Sequence, residues 1–321
     1  MLHFPLLAVL VKSTDRLGAQ WSEQAIRRND MRWIDKRPML LQKGAIAALR
    51  RWRLGGMNTG TGAGTMQVDE LLATALAVSE AARPVPLGYF RQKLEVIAKA
   101  DASPVTIADR ETERVMREML AAHVPEHGIF GEEHGRERLD HRFVWVLDPI
   151  DGTKSFITGF PLFNNLIAVL DDGRPVVGVV DTPAIGERYH AATGHGAWLN
   201  GNAVKTSGCT TLDSAAVYRA GHEPSDPVMR QRFERFATVG RVNRYGYDAY
   251  VYALLAAGHL DVMIESDLEP YDYLALVALV EEAGGVISDW SGRPLHLDSA
   301  GDVLAAATPA LHAEALALLA R

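Results

Sequence analysis

WVLDPIDGTKSF, residues 145–156, decides how the rest of this chain is read. An apolar run ends in two aspartates three residues apart, and Gly-Thr follows at once. The run predicts a buried strand over 143–148 that Asp148 finishes. Pro149 has no N–H to pair, so the turn is free to present the carbonyl of Ile150 between Asp148 and Asp151. Three oxygens in one turn suit a hard cation such as Mg2+. Gly152 and Thr153 then supply the first N–H groups of a helix, an arrangement that accepts phosphate.

Outward from this stretch, strands and helices interleave. Helical spacing is predicted over 68–82, 103–123, 246–260 and 271–285, and a last helix is capped by Thr308 with Pro309 at its first position. Residues 164–183 predict a hairpin around Asp-Asp-Gly-Arg-Pro, while 261–266 and 286–290 read as strands. The mixture predicts a layered α/β fold with a mixed sheet.

Further acids gather at element ends: Asp109 in TIADR, Glu132 and Glu133 in GEEHG, Glu265 closing DVMIES, and Asp272 opening a helix. Any one of them alone reads as a helix cap or a solvated loop carboxylate. Together they make an oxygen-rich constellation that favours Mg2+ or Mn2+ over zinc. His123, His127 and His134 lie near it in sequence, but their spacing matches no zinc signature.

The bulk composition allows a sizeable core. The chain has 321 residues, is 48% hydrophobic and carries a net charge of −7. That charge implies no global field for nucleic acid or an anionic membrane. A lone Cys209 excludes an internal disulfide, and no apolar stretch is long enough to span a membrane, so a soluble cytoplasmic protein is expected. Residues 1–56 differ: eleven Lys and Arg face four acids, a local +7 that leaves −14 for 57–321. The Gly/Thr-rich stretch at 55–66 reads as a linker. Two readings stand for 1–65: a disordered upstream extension, with the true start at Met57 or Met66, or a basic arm that binds a polyanion. GTGAG at 60–64 lacks a preceding strand and is no dinucleotide loop.

GEEHG, WVLDPIDGTKSF and EPYDYLALVALVEEAGG, in this order, resemble the inositol-monophosphatase-like family of Mg2+-dependent, Li+-sensitive phosphatases, over about residues 68–321. The resemblance implies an α-β-α-β-α sandwich of the sugar-phosphatase type. It implies an N-terminal lobe over 66–208 with most metal ligands and a C-terminal lobe over 209–321. Position by position, it makes Glu132, Asp148, the Ile150 carbonyl, Asp151 and Asp272 ligands for two or three Mg2+ ions, with Mn2+ as substitute. It makes Gly152 and Thr153 phosphate contacts, and pairs Asp109 with the Thr153 hydroxyl beside the attacking water. Glu132, Thr153 and Asp109 thus form the catalytic set, Glu133 an auxiliary acid, and hydrolysis proceeds directly without a phosphoenzyme. A homodimer is expected, with a small phosphate ester as the only partner of the core.

The resemblance is greatest to the histidinol-phosphate phosphatase branch. That branch often shows Gly-Thr after P-x-F, where this chain has Asn164 and Asn165. Histidinol carries an ammonium and an imidazole, so its site should offer acids beyond those a metal consumes. Asp248 and Glu265 are the candidates, and Tyr247 would border the substrate. Alternatives are inositol 1-phosphate or a 3′-phosphonucleotide as substrate, or a binding role for the basic arm.

Overall fold

The computed structural model describes residues 67–98, 104–221, 224–246 and 248–321. The segment 1–65, with both readings of it, and Tyr247 lie outside the described residues.

Helices α1 (Val68–Ala82) and α2 (Pro84–Tyr89) come first, then the short pair β1 (Ile97–Ala98) and β2 (Pro104–Val105), then α3 (Ile107–His123). Helix α3 begins later than its apolar spacing suggests. Thr106 caps it, with its side chain accepting from the Ala108 N–H, so the residues before it are left to strand β2. Next come β3 (Gly128–Gly131), β4 (Gly135–Glu137), β5 (Phe143–Asp151), the five-residue α4 (Thr153–Ile157), β6 (Asn164–Asp171), β7 (Arg174–Thr182), β8 (Glu187–Ala192), β9 (Gly196–Leu199) and β10 (Asn202–Val204). These eight strands form one sheet in the order β10-β9-β8-β7-β6-β5-β3-β4. Only the β3–β5 pair in it is parallel.

The rest of the chain builds a second, five-stranded sheet. Its elements are β11 (Ala216–Ala220), α5 (Pro227–Glu234), β12 (Val242–Gly246), α6 (Tyr250–Ala256), β13 (Val262–Glu265), α7 (Pro270–Glu282), β14 (Val286–Ser288), β15 (Val303–Ala306) and α8 (Pro309–Ala320), with strand order β12-β11-β13-β15-β14. The helix expected over 246–260 is shorter than its pattern. Gly246 completes β12 alongside β11, and Asp248 takes φ +60°, so helical geometry starts only at Tyr250.

Every residue of β5 is buried, which is why it reads as a continuous apolar run and not as an alternation. One face of the large sheet packs Trp145, Leu147, Ile167 and Val179 against Leu71 and Val78 of α1 and Met116 and Leu120 of α3. The other face packs Val144, Val146, Leu166 and Val180 against α7, whose Leu274, Leu276 and Val277 continue into Val262 and Ile264 of the second sheet. A Cβ on Gly178 of β7 would meet the Ala275 carbonyl at 2.0 Å, so glycine there lets α7 lie directly on the sheet. Helices α5 and α8 cover the far side of the small sheet. The layers run α-β-α-β-α, as expected. This sandwich brings the end of β5, the start of α7 and the end of β13 toward one place.

Candidate active site

Strand β5 runs through the quoted stretch as far as Asp151, with an irregularity in its pairing to β6 between Asp148 and Asp151. That irregularity frees the turn from regular pairing. The Ile150 N–H folds back onto Asp148 Oδ1 at 3.0 Å. Gly152 follows with φ +78°, and any Cβ there would lie 2.6 Å from the Asp248 carboxylate. The chain can therefore turn into α4 beside Asp248 only with glycine at this position.

Asp272 reaches the same place from α7. It is the third residue of that helix, and its Oδ2 accepts from the Glu269 N–H at 2.7 Å. One carboxylate oxygen from each of Asp148, Asp151 and Asp272 lies within 4.8 Å of the others. Glu132 stands outside this trio, just past β3, where its N–H donates to the Leu147 carbonyl at 3.2 Å. Its charge still acts on Asp148 and Asp272.

Asp109 plays in α3 the part Asp272 plays in α7. As third residue it closes a capping box, its Oδ2 accepting from the Thr106 N–H at 2.8 Å and hydroxyl at 2.7 Å. Its Oδ1 lies 3.3 Å from the Thr153 hydroxyl, which also lies 3.1 Å from the Ile150 carbonyl. In both helices one carboxylate oxygen caps the helix and the other is left for the site.

The two acids expected on the substrate side lie within electrostatic reach of Asp151. Asp248 Oδ2 accepts from the Ser155 hydroxyl at 2.6 Å. Glu265, at the end of β13, accepts from the Tyr252 hydroxyl at 3.1 Å.

Burial dominates the electrostatics. It holds Asp148 well above the usual carboxylate range, and the charges of Glu132, Asp151 and Asp272 push the same way. Asp151 is raised likewise, first by burial and then by Asp248 and Asp272. Burial also pushes Asp272 and Glu265 up to about 8. Crowded, buried, mutually repelling carboxylates are costly unless a cation joins them. An all-oxygen donor set of this kind fits a hard divalent ion.

Some supporting groups carry no sequence motif. Glu113, one turn after Asp109 on α3, is fully buried. It accepts from the Glu133 N–H at 2.6 Å, the His134 N–H at 3.2 Å and Arg117 Nε at 2.7 Å, and so clamps the turn that carries Glu132. The four-residue step from Asp109 was the available signal. The nearby histidines are engaged locally: His123 with the Met119 carbonyl, His127 with Trp145 and His134 with the Arg110 carbonyl.

Comparison with known proteins agrees with this geometry. Residues 67–321 match the inositol monophosphatase family. The chain is 40% identical over 261 residues to the bifunctional phosphatase IMPL2, chloroplastic, of Arabidopsis thaliana, covering 78% of this chain and 75% of that protein. It is 38% identical over 241 residues to a histidinol-phosphatase of Chlorobaculum parvum, covering 73% of this chain and 91% of that one. The solved structure of an inositol monophosphatase from Zymomonas mobilis, 38% identical, superposes with a TM-score of 0.73 over 80% of this chain and 100% of that chain. The chain therefore belongs to the inositol monophosphatase family, and is a metal-dependent phosphatase that hydrolyses small phosphoric monoesters.

Proposed function

We propose that this phosphatase uses Mg2+ to hydrolyse histidinol phosphate to histidinol and phosphate. The observation that carries the reading is the pair Asp248 and Glu265. They are acids beyond the Asp148–Asp151–Asp272 trio, Glu265 buried and Asp248 half-buried, and in this reading they meet the organic part of the substrate. An ammonium or imidazolium group is the natural partner for such acids. The relative named histidinol-phosphatase supports the same choice.

In this reading Asp148, Asp151 and Asp272, with Glu132 and the Ile150 carbonyl, hold two or three Mg2+ ions. When bound, those ions supply positive charge against the phosphate oxygens and acidify water. The chain's own groups do the orienting. The Thr153 hydroxyl has one proton to share between Asp109 and the Ile150 carbonyl, which leaves its oxygen able to accept from a water in line with the ester. The N–H groups of Gly152 and Thr153, at the opening of α4, face the phosphate. Asp248 and Glu265 take the amine and imidazole. We also read the enzyme as a cytoplasmic homodimer; sedimentation at micromolar concentration checks the dimer.

Inositol 1-phosphate is the second reading, favoured by the likeness to the Zymomonas mobilis enzyme. The deciding experiment measures phosphate release with Mg2+ from histidinol phosphate, inositol 1-phosphate, fructose 1,6-bisphosphate and a 3′-phosphonucleotide. The highest kcat/KM is expected for histidinol phosphate. A higher value for any other ester overturns the assignment of substrate.

A further inference from the structure

Asp151 is held by groups that the phosphatase reading does not use. Its Oδ2 accepts from Asn164 Nδ2 at 2.7 Å and from the Ala249 N–H at 2.8 Å. Both donors converge on Oδ2, which leaves Oδ1 for another partner. Asn164 is itself fixed at its other end. Its Oδ1 accepts from the Thr182 hydroxyl at 2.7 Å, and Nδ2 also lies 3.3 Å from the Leu162 carbonyl. Asn164 and Thr182 are fully buried. Asp151 and Asn164 face each other across β5 and β6, and Thr182 lies beyond them at the end of β7.

With Asp151 ionised, as a bound cation requires, the order of donors in this row is forced. An ionised carboxylate only accepts, so the NH2 end of the Asn164 amide must face Asp151. The amide oxygen then faces Thr182, whose hydroxyl must donate. Turning the amide over would set its oxygen against a carboxylate. The Thr182 hydroxyl thus keeps the amide in the one orientation that supports an ionised Asp151.

We propose that Asn164, oriented by Thr182, is a positioning residue: by holding Oδ2 of Asp151 it aims Oδ1 at the bound cation. The proposal rests on the reading of Asp151 as a cation ligand. Partners that orient a ligand from behind typically change metal affinity or activity by about 10–100-fold when removed. Side chains that merely filled the sheet end would affect folding and leave cation affinity alone.

The test measures Mn2+ binding to the full chain by electron paramagnetic resonance, without substrate, together with kcat and KM at saturating cation. Asn164→Ala should weaken Mn2+ binding by about 10-fold. Thr182→Val keeps the side-chain volume and should weaken it about 3-fold, as expected for one lost hydrogen bond. Thr182→Ser restores the hydroxyl and should return affinity to near the parent value. KM for the ester at saturating cation should stay unchanged in all three. If Asn164→Ala fails to fold, the valine and serine pair decides. Parent-like Mn2+ affinity in Thr182→Val, or equal affinity in the valine and serine variants, overturns the proposal. A parent protein that binds no Mn2+ overturns the cation-ligand reading beneath it as well.

Discussion

Two kinds of buried acid stand side by side in this molecule. Asp181 and Glu113 are fully buried and each has its cation within the chain. Asp181 faces Arg83 Nε at 3.0 Å and Arg188 Nε at 3.5 Å, and Glu113 faces Arg117. Asp148, Asp151 and Glu265 are buried too and Asp272 is half-buried, yet among the described residues none has an ion pair with Lys or Arg. A chain that can supply arginines to two buried acids leaves four others to repel one another. Packing alone does not ask for that arrangement. In the proposed reading, the unpaired group is where a cation from outside, metal or substrate, completes the charge balance.

The largest effects should separate the two kinds. Asp148→Asn keeps an oxygen to accept from the Ile150 N–H but removes one negative charge from the trio. Metal-dependent phosphate release should fall by at least about 1000-fold, while the metal-free protein melts no lower than the parent. A variant that keeps more than about a tenth of the activity breaks the contrast.

The next effect is one of pH, at Glu265. Burial raises its folded pKa to about 8, so the folded protein binds this proton more tightly than the unfolded chain does. Its stabilising contribution is fully present below the unfolded value and is lost as pH rises through about 8. Glu265→Gln does not titrate. Between pH 5 and pH 9 the metal-free parent should therefore lose about 4 kcal/mol of stability relative to Glu265→Gln. Urea unfolding in EDTA at the two pH values measures this, and equal slopes with pH would remove Glu265 from the unpaired set.

Asp181→Asn should show the opposite balance to Asp148→Asn. It leaves Arg83 and Arg188 without their buried partner, and stability should drop by about 2–3 kcal/mol, since Arg83 is partly solvated. The activity of the remaining folded protein should change less than about 3-fold. Chemical denaturation and a folded-fraction-corrected assay check both halves.

Much of this contrast was legible in the sequence, and the reason it was not wholly so is physical. Asp148, Asp151 and Asp272 announce themselves because acids at element ends have no packing role, and strand β5 because a run buried on both faces must be apolar. The sandwich and the Thr153–Asp109 pair came from a family resemblance. What local pattern cannot reveal is a partner brought in by tertiary contact. Asp181 finds Arg83 from 98 residues away, and the Glu133 N–H finds Glu113 from 20. Asn164 and Asn165 were visible only as a departure from a related motif. The meaning of Asn164 appeared once β6 lay against β5 and Thr182 of β7 closed the row. Helix α6 was overestimated because the Tyr-rich spacing continues through residues that a parallel strand pairing claims first.

The smallest effect tests the case between the two kinds. Asp248 is half-buried and raised by burial, yet the Ser155 hydroxyl and the nearby Lys154 charge pull it back. It also abuts Gly152 at the opening of α4. If it recognises the amine, Asp248→Asn should raise KM for histidinol phosphate about 10-fold with kcat within about 2-fold, the signature of lost binding that is equal in ground and transition states. Inositol 1-phosphate carries no cation and should show no such rise. If instead Asp248 shapes the Gly152 turn, both esters should suffer together and in kcat. Steady-state kinetics on the two substrates with one variant therefore assigns Asp248 either to the acids that wait for a cation or to the scaffold that holds them.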